Sequence, residues 1–259
     1  MFLLGLFLAV FVGVTLGLVG SGGSILTVPI FVYIFGVDPV LATAYSLFAI
    51  GITSLVGSVR GIVNQTVDFD KLIKFGIPSM VSVFLTRKYL VPLIPDEFHV
   101  LGYVFGQDEV LMVLFAVLML FASYAMFNEI TIPKSSFPVA AIFAKGVIVG
   151  FVTGIVGAGG GFLIIPALTN FFNLSMKKAV ATSLVLITIN SMLGLLGDWR
   201  RIGQFDWHML LTYTSLTVIG IFVGFYLSNK IDGKNLKRLF SVSIMLVAIL
   251  VLLAEFGVI

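Results

Sequence analysis

Polar positions along this chain are sparse, and they fall in short runs that cut the sequence into long apolar stretches. By apolar length, the first half divides into 2–19, a short 24–36, then 40–59, 72–94 and 109–127. The second half divides into 138–156, a short 162–172, then 179–196, 208–228 and 239–257. A stretch of about 20 apolar residues, as a helix, matches the hydrocarbon thickness of a bilayer. The alternating segments of about ten residues that a transmembrane barrel needs are absent from the sequence. The pattern predicts an all-α polytopic membrane protein with five segments per repeat. The first repeat covers 1–128, a linker 129–137, and the second repeat 138–259.

The repetition is written in glycine. "GLVGSGGSILTVP" runs from Gly17 to Pro29, and "GIVGAGGGFLIIP" from Gly154 to Pro166. Gly17, Gly20, Gly22, Gly23 and Pro29 recur at Gly154, Gly157, Gly159, Gly160 and Pro166, a constant offset of 137. Identities continue at Ala42/Ala179, Ala44/Ala181, Ser46/Ser183, Leu47/Leu184, Ser54/Ser191 and Gly57/Gly194. Further on, Phe69-Asp70 pairs with Phe205-Asp206 after a one-residue slip. Duplication is the economical explanation, and an odd number of segments per repeat turns the second copy upside down. Loop cations test this through the positive-inside rule. Five segments per repeat place Arg60, Lys71, Lys74, Lys134, Lys177, Lys178, Lys230, Lys234, Lys237 and Arg238 on one side. Only Arg87, Lys88, Arg200 and Arg201 fall on the other. The imbalance predicts inverted repeats with both termini outside the cytoplasm.

The two short segments are too short to span as helices. Short glycine- or proline-interrupted segments at matching places in inverted halves point to a transporter's binding site. Glycine permits positive φ and close approach of a ligand, and a broken helix in lipid survives only where protein or a wet cavity satisfies its backbone. With Ser24 and Gly161 as first residues, each short helix offers free N–H donors and partial positive charge to an anion. The predicted cradle is therefore Gly20, Ser21, Gly22, Gly23 and Ser24 with Gly157, Ala158, Gly159, Gly160 and Gly161. The following helices add Thr43, Ser46, Thr53 and Ser54, then Thr182, Ser183, Asn190 and Ser191, near one face in each copy. A plainer reading competes at each position. Gly13/Gly17, Gly150/Gly154 and Gly220/Gly224 have the spacing of tight helix packing, and hydroxyls in membrane helices commonly bond their own i−4 carbonyl. Lys145 reads either as an anion attractor or as an anchor that snorkels to the interface. Asp198, Trp199, Arg200 and Arg201 read as an interfacial anchor, with Arg60 similar.

Composition narrows the chemistry. Of 259 residues, 59% are hydrophobic and 10% charged, where a soluble domain carries about 25% charged. The absence of cysteine excludes disulfides and thiolate metal sites. A dispersed net charge of +3 gives no nucleic-acid footprint. No histidine and carboxylate share metal-ligand spacing on one helix, so neither metal nor cofactor is expected. The repeat partner of Ser21 is Ala158, and no histidine lies in a span to act as its base, which disfavours an intramembrane enzyme. Scarce carboxylates at depth disfavour a cation or metal permease. The N-terminal segment lacks the positive leader of a signal peptide and reads as part of the fold. The expected partners are a small anion and the lipid bilayer; a homo-oligomer is compatible with the sequence.

The paired motifs, "GLVGSGGSILTVP" with "ATAYSLFAIGITSLVGS" and "GIVGAGGGFLIIP" with "ATSLVLITINSMLG", resemble the TauE/SafE family over nearly the whole chain. These are sulfite and organosulfonate exporters, also called the toluene sulfonate uptake permease family. The resemblance implies an integral transporter of a bacterial or archaeal cytoplasmic membrane for small sulfur-containing anions such as sulfite or sulfonates. A permease for another small anion or ion, or a channel-like conductor, stays open. One departure is Ser24, where the second copy has Gly161, so the two loops need not contribute equally.

Overall fold

The computed structural model describes residues 2–20, 23–95, 97–100, 103–127, 139–157, 159–172, 174–228 and 233–256. The expected linker 129–137 lies outside the described residues. Among the described residues ten α-helices follow in the expected order: α1 (Phe2–Val19), α2 (Ser24–Pro29), α3 (Pro39–Val63), α4 (Phe69–Leu85), α5 (Gln107–Phe127), α6 (Val139–Val156), α7 (Gly161–Pro166), α8 (Met176–Gly197), α9 (Trp207–Ser228) and α10 (Gly233–Glu255). Five of them, α1, α3, α5, α8 and α9, are long and apolar enough to cross a membrane. One element was not foreseen. Glu97–Val100 (β1) pairs antiparallel with Tyr103–Gly106 (β2), with Phe98 opposite Phe105. Its sequence, rich in aromatic and β-branched residues, suits a strand but is too short to stand out between two apolar helices.

Local chemistry sets the boundaries. Asp38 Oδ1 accepts from the Leu41 N–H at 3.0 Å, with Pro39 in the first helical position of α3. Glycine in the left-handed region ends both α1 and α6: Gly20 has φ +76° and Gly157 φ +71°. Their amides bond back identically, Gly20 to the Leu16 carbonyl at 2.7 Å and Gly157 to the Thr153 carbonyl at 2.9 Å. The short helices begin at Ser24 and Gly161 as expected. Each reaches a proline and continues as one wider π turn, Ile30–Ile34 and Ala167–Phe171. Proline has no N–H to continue the α ladder, and the relaxed turn carries the chain past it. A third π turn, Thr86–Leu90, extends α4 ahead of Pro92.

Helix packing respects the duplication. α1 lies along α9 and α4 along α6, while α3 packs on α8 and α5 on α10. Exchanging the two repeats leaves this set of pairs unchanged. At the α1–α9 seam a Cβ on Gly13 or Gly17 would strike the Thr217 or Ile221 carbonyl, and one on Gly220 or Gly224 would strike the Val10 or Val14 carbonyl. At the α4–α6 seam Gly150 meets the Ser79 carbonyl in the same way. In lipid, helices gain little from hydrophobic association, so close backbone contact between small residues holds them together. The small-residue spacings are thus packing seams.

Hydrogen bonds repeat too, and they correct one sequence pairing. Asp68 accepts from the Lys71 N–H at 3.1 Å and Asp206 Oδ1 from the Met209 N–H at 3.1 Å, each capping its helix. The amide of Asp68 donates to Thr182 Oγ1 at 2.9 Å, and that of Asp206 to the Tyr45 hydroxyl at 2.6 Å. Asp206 therefore corresponds to Asp68, an offset of 138, and not to Asp70. The loop before α4 and α9 shifts the register by one residue in the direction opposite to that suggested by the "FD" match. α3 and α8 form the enclosed centre and run antiparallel, with Gly61 against Ala181, Gly51 against Ser191 and Gly194 against Leu47. Apolar side chains such as Phe7, Phe121, Phe151 and Phe222 stay exposed on the outer helices, as a lipid-facing surface requires.

Candidate functional site

Both glycine runs press on the opposite repeat. A Cβ on Gly20 would meet Val180 of α8; one on Gly157 would meet Thr43 of α3 and the Arg87 guanidinium. Val180 and Thr43 are themselves counterparts at the 137 offset. Ser183 Oγ donates to the Gly20 carbonyl at 3.2 Å, tying the first run to α8. Gly159, φ +65°, sits at the α3–α8 crossing, where a Cβ would lie 2.8 Å from Ile187 and 2.9 Å from Ser191 Oγ. Gly23 and Gly160 back onto Thr15 and Thr153, while Ser24 and Gly161 open α2 and α7 and are buried. The predicted cradle residues Ser21, Gly22 and Ala158 lie outside the described residues.

The uncharged polar residues singled out on α3 and α8 (Thr43, Ser46, Thr53, Ser54, Thr182, Ser183, Asn190 and Ser191) are all buried, and several bridge helices. Thr53 shares a 2.6 Å hydrogen bond with Thr217 of α9, and Asn190 Nδ2 donates to Ser79 Oγ of α4 at 3.0 Å. These are the same contact in the two repeats. Thr188 donates to Ser54 Oγ at 3.0 Å, while Ser54 donates to the Ile50 carbonyl at 2.6 Å. Thr182 sits higher, receiving the Asp68 amide. Ser46 Oγ, Ser191 Oγ and Asn190 Oδ1 have no hydrogen-bond partner among the described residues. Buried polar atoms left this way favour a polar visitor.

A cavity of about 400 Å³ opens at one end of the α3–α8 pair. Gly17, Gly57, Gly61, Val180, Ala181, Leu184 and Phe225 form its walls, and Arg60, Lys177, Asn64, Thr66 and Ser228 supply polarity. Arg60 stacks on Phe225, its guanidinium carbon 4.5 Å from the ring centre. The described lining holds two cations and no carboxylate, so its field favours an anion. Gly20 lies behind Val180 at the inner wall. Lys145 does not line it. From the sequence Arg60 reads as an interfacial anchor and Lys177 as a loop cation, since nothing in their local pattern separates a cavity wall from a loop.

The opposite end of α3–α8 carries the counterpart of this cavity, and it is shut. Gly154, Gly194, Gly197, Asp198, Thr43, Ala44 and Leu47 occupy the places of Gly17, Gly57, Arg60, Gly61, Val180, Ala181 and Leu184, and Arg87 takes that of Phe225. Arg87 is fully buried. Its Nη1 donates to Thr43 Oγ1 at 2.9 Å and to Asp198 Oδ2 at 3.3 Å. Asp198 Oδ1 also accepts from Arg201 Nη1 at 2.6 Å. The expected interfacial anchor is thus corrected: Asp198 is buried and ion-paired across the protein, while Trp199 remains exposed. Arg87 was read as a loop charge, yet it lay inside the apolar 72–94 segment, and that was the signal available.

The family model described as "Sulfite exporter TauE/SafE" matches residues 5–251. The chain belongs to the TauE/SafE family. This TauE/SafE chain is 25% identical to a probable membrane transporter protein of Xylella fastidiosa, covering 93% of the chain and 91% of the relative. It is 27% identical to one from Methanocaldococcus jannaschii, over 93% and 92%. It is 26% identical to the probable membrane transporter protein YjnA of Bacillus subtilis, over 93% and 95%. No solved structure matches. Family membership makes this chain a membrane transporter, in keeping with its apolar helices.

Proposed function

We propose that this TauE/SafE chain carries small sulfur-containing anions, sulfite or sulfonates, across a cytoplasmic membrane. The carried anion sits between two inverted repeats and is exposed to each side in turn. The observation that carries this reading is the paired cavity: one end of the α3–α8 pair is open and lined by cations, and its repeat counterpart is sealed. Antiparallel α3 and α8 support inversion, because corresponding helices then face opposite sides of the membrane. The cation-rich end is cytoplasmic by the charge rule, and both chain termini are then external. In this reading the glycine runs form the passage between the two ends, together with the Ser46, Ser191 and Asn190 oxygens that have no hydrogen-bond partner among the described residues. Nothing in this path calls for catalysis. A negative-inside potential favours anion exit by about 2.3 kcal/mol per charge per 100 mV.

Flux of labelled sulfite, a sulfonate, acetate and a divalent metal into proteoliposomes tests the proposal. Saturable sulfite or sulfonate flux that exceeds acetate flux is expected. Metal flux, or no anion flux from protein that inserts correctly, contradicts it.

A further inference from the structure

Arg87 is an unusual way to seal a cavity. A guanidinium has five N–H donors in a rigid fork, and burying one is tolerable only when those donors are used. Here Nη1 serves both Thr43 and Asp198, while Nε and Nη2 have no hydrogen-bond partner among the described residues. The ion pair is a single contact at 3.3 Å, far from the parallel two-bond arrangement that makes arginine–carboxylate pairs strong. Asp198 is moreover shared, its other oxygen held by Arg201. Two cations against one carboxylate leave this pocket one positive charge in excess. Gly157 contributes by having no side chain: a Cβ there would collide with Nη2, so the guanidinium edge lies against the second glycine run.

We propose that Arg87 is the anion-binding residue of the sealed end, and that Asp198 is a resident carboxylate occupying its place while that end is closed. The proposal rests on the transport reading above and assigns the ligand its chemistry. An oxyanion with two accessible oxygens takes Nε and Nη2 side by side. Binding supplies the missing negative charge, satisfies the idle donors and frees Asp198 to stay with Arg201. Departure of the anion lets Asp198 close back on Nη1. A phenylalanine, Phe225, stands at the corresponding place in the open cavity, where Arg60 supplies the cation from the neighbouring helix. The two ends therefore hold an anion with different residues.

The chain has no cysteine, so one introduced thiol is unique. Thr43→Cys, beside Arg87, can be reacted with an anionic (sulfonate-bearing) and a cationic methanethiosulfonate reagent of similar size. We expect the anionic reagent to be favoured by about tenfold, the effect of one nearby unit charge in a partly hydrated site. Arg87→Gln should bring the ratio to near unity, and Asp198→Asn should raise it above that of the parent. Ala181→Cys in the open cavity serves as the folding control and should keep its own ratio in both backgrounds. Equal rates for the two reagents with Arg87 intact, or no labelling of Thr43→Cys in protein whose Ala181→Cys reacts, would overturn the proposal. The readout uses no transported substrate. A failure of sulfite flux with a preserved reagent ratio therefore refutes the substrate reading alone.

Discussion

The open cavity and its sealed counterpart share one backbone plan and differ at a few side chains. Around the open end the α3 terminus carries Arg60 and then Gly61; around the sealed end the α8 terminus carries Gly197 and then Asp198. Opposite these stand Phe225 on α9 and Arg87 at the end of α4. At the open end the cation lies against an aromatic ring and leaves about 400 Å³ free. At the sealed end the cation crosses the space and meets a carboxylate and a hydroxyl. The glycines frame both ends alike: Gly57 packs on Leu184 and Ile221, Gly194 on Leu47 and Val83. The difference teaches that closure here depends on polar side chains laid across a conserved frame. Ion pairs can be exchanged for solvent or ligand, whereas a packed apolar core cannot open without loss.

Substitutions can break the comparison, and the sealed end should be the more fragile. Gly157→Val should have the largest effect, because it combines a positive φ with collision against the Thr43 carbonyl and Arg87. We expect transport to fall to background in proteoliposome flux normalised to inserted protein. Next, Asp198→Ala leaves the Arg87 charge buried with no carboxylate. It should cost about 3 kcal/mol, read as a lowered melting temperature in detergent. The counterpart change, Gly61→Ala, places a Cβ 3.0 Å from that of Ala181 and should cost less than about 1 kcal/mol. At the open end Arg60→Gln with Lys177→Gln should slow anion flux severalfold and weaken its salt dependence. The melting temperature should hardly move, since exposed charges contribute about 0–1 kcal/mol. Smallest of all, Thr53→Ala removes one bond of the Thr53–Thr217 pair and should cost about 0.6 kcal/mol, seen in the same melting assay.

Much of the frame was legible in the sequence. Helix order, the starts of α2 and α7, and the glycine ends of α1 and α6 all follow from apolar length and from what glycine and proline do to a backbone. The 137 offset made the duplication legible, while which helices pair is seen only in the structure. The register beyond Asp68 was not legible either, because a one-residue loop difference is invisible to a two-letter match and became clear only from the matching caps of Asp68 and Asp206. The polar faces of α3 and α8 read from the sequence as the lining of a passage, while in the structure Thr53 and Asn190 bond neighbouring helices, a use that periodicity cannot separate from lining a passage. Arg87, Asp198, Arg60 and Lys177 were missed as a set. Each lies at a helix end, where charge usually marks the interface, and their grouping depends on tertiary contacts between α3, α4, α8 and α9.

The claim on which the rest depends is that the two ends of the α3–α8 pair face opposite sides of the membrane. Ala181→Cys and Ala44→Cys, counterparts at the open and sealed ends, can each be exposed to a membrane-impermeant maleimide from either face of oriented vesicles. The account predicts that Ala181→Cys reacts rapidly from the cytoplasmic face, and that Ala44→Cys reacts slowly and only from the outer face. Reaction of both from the same face would contradict it.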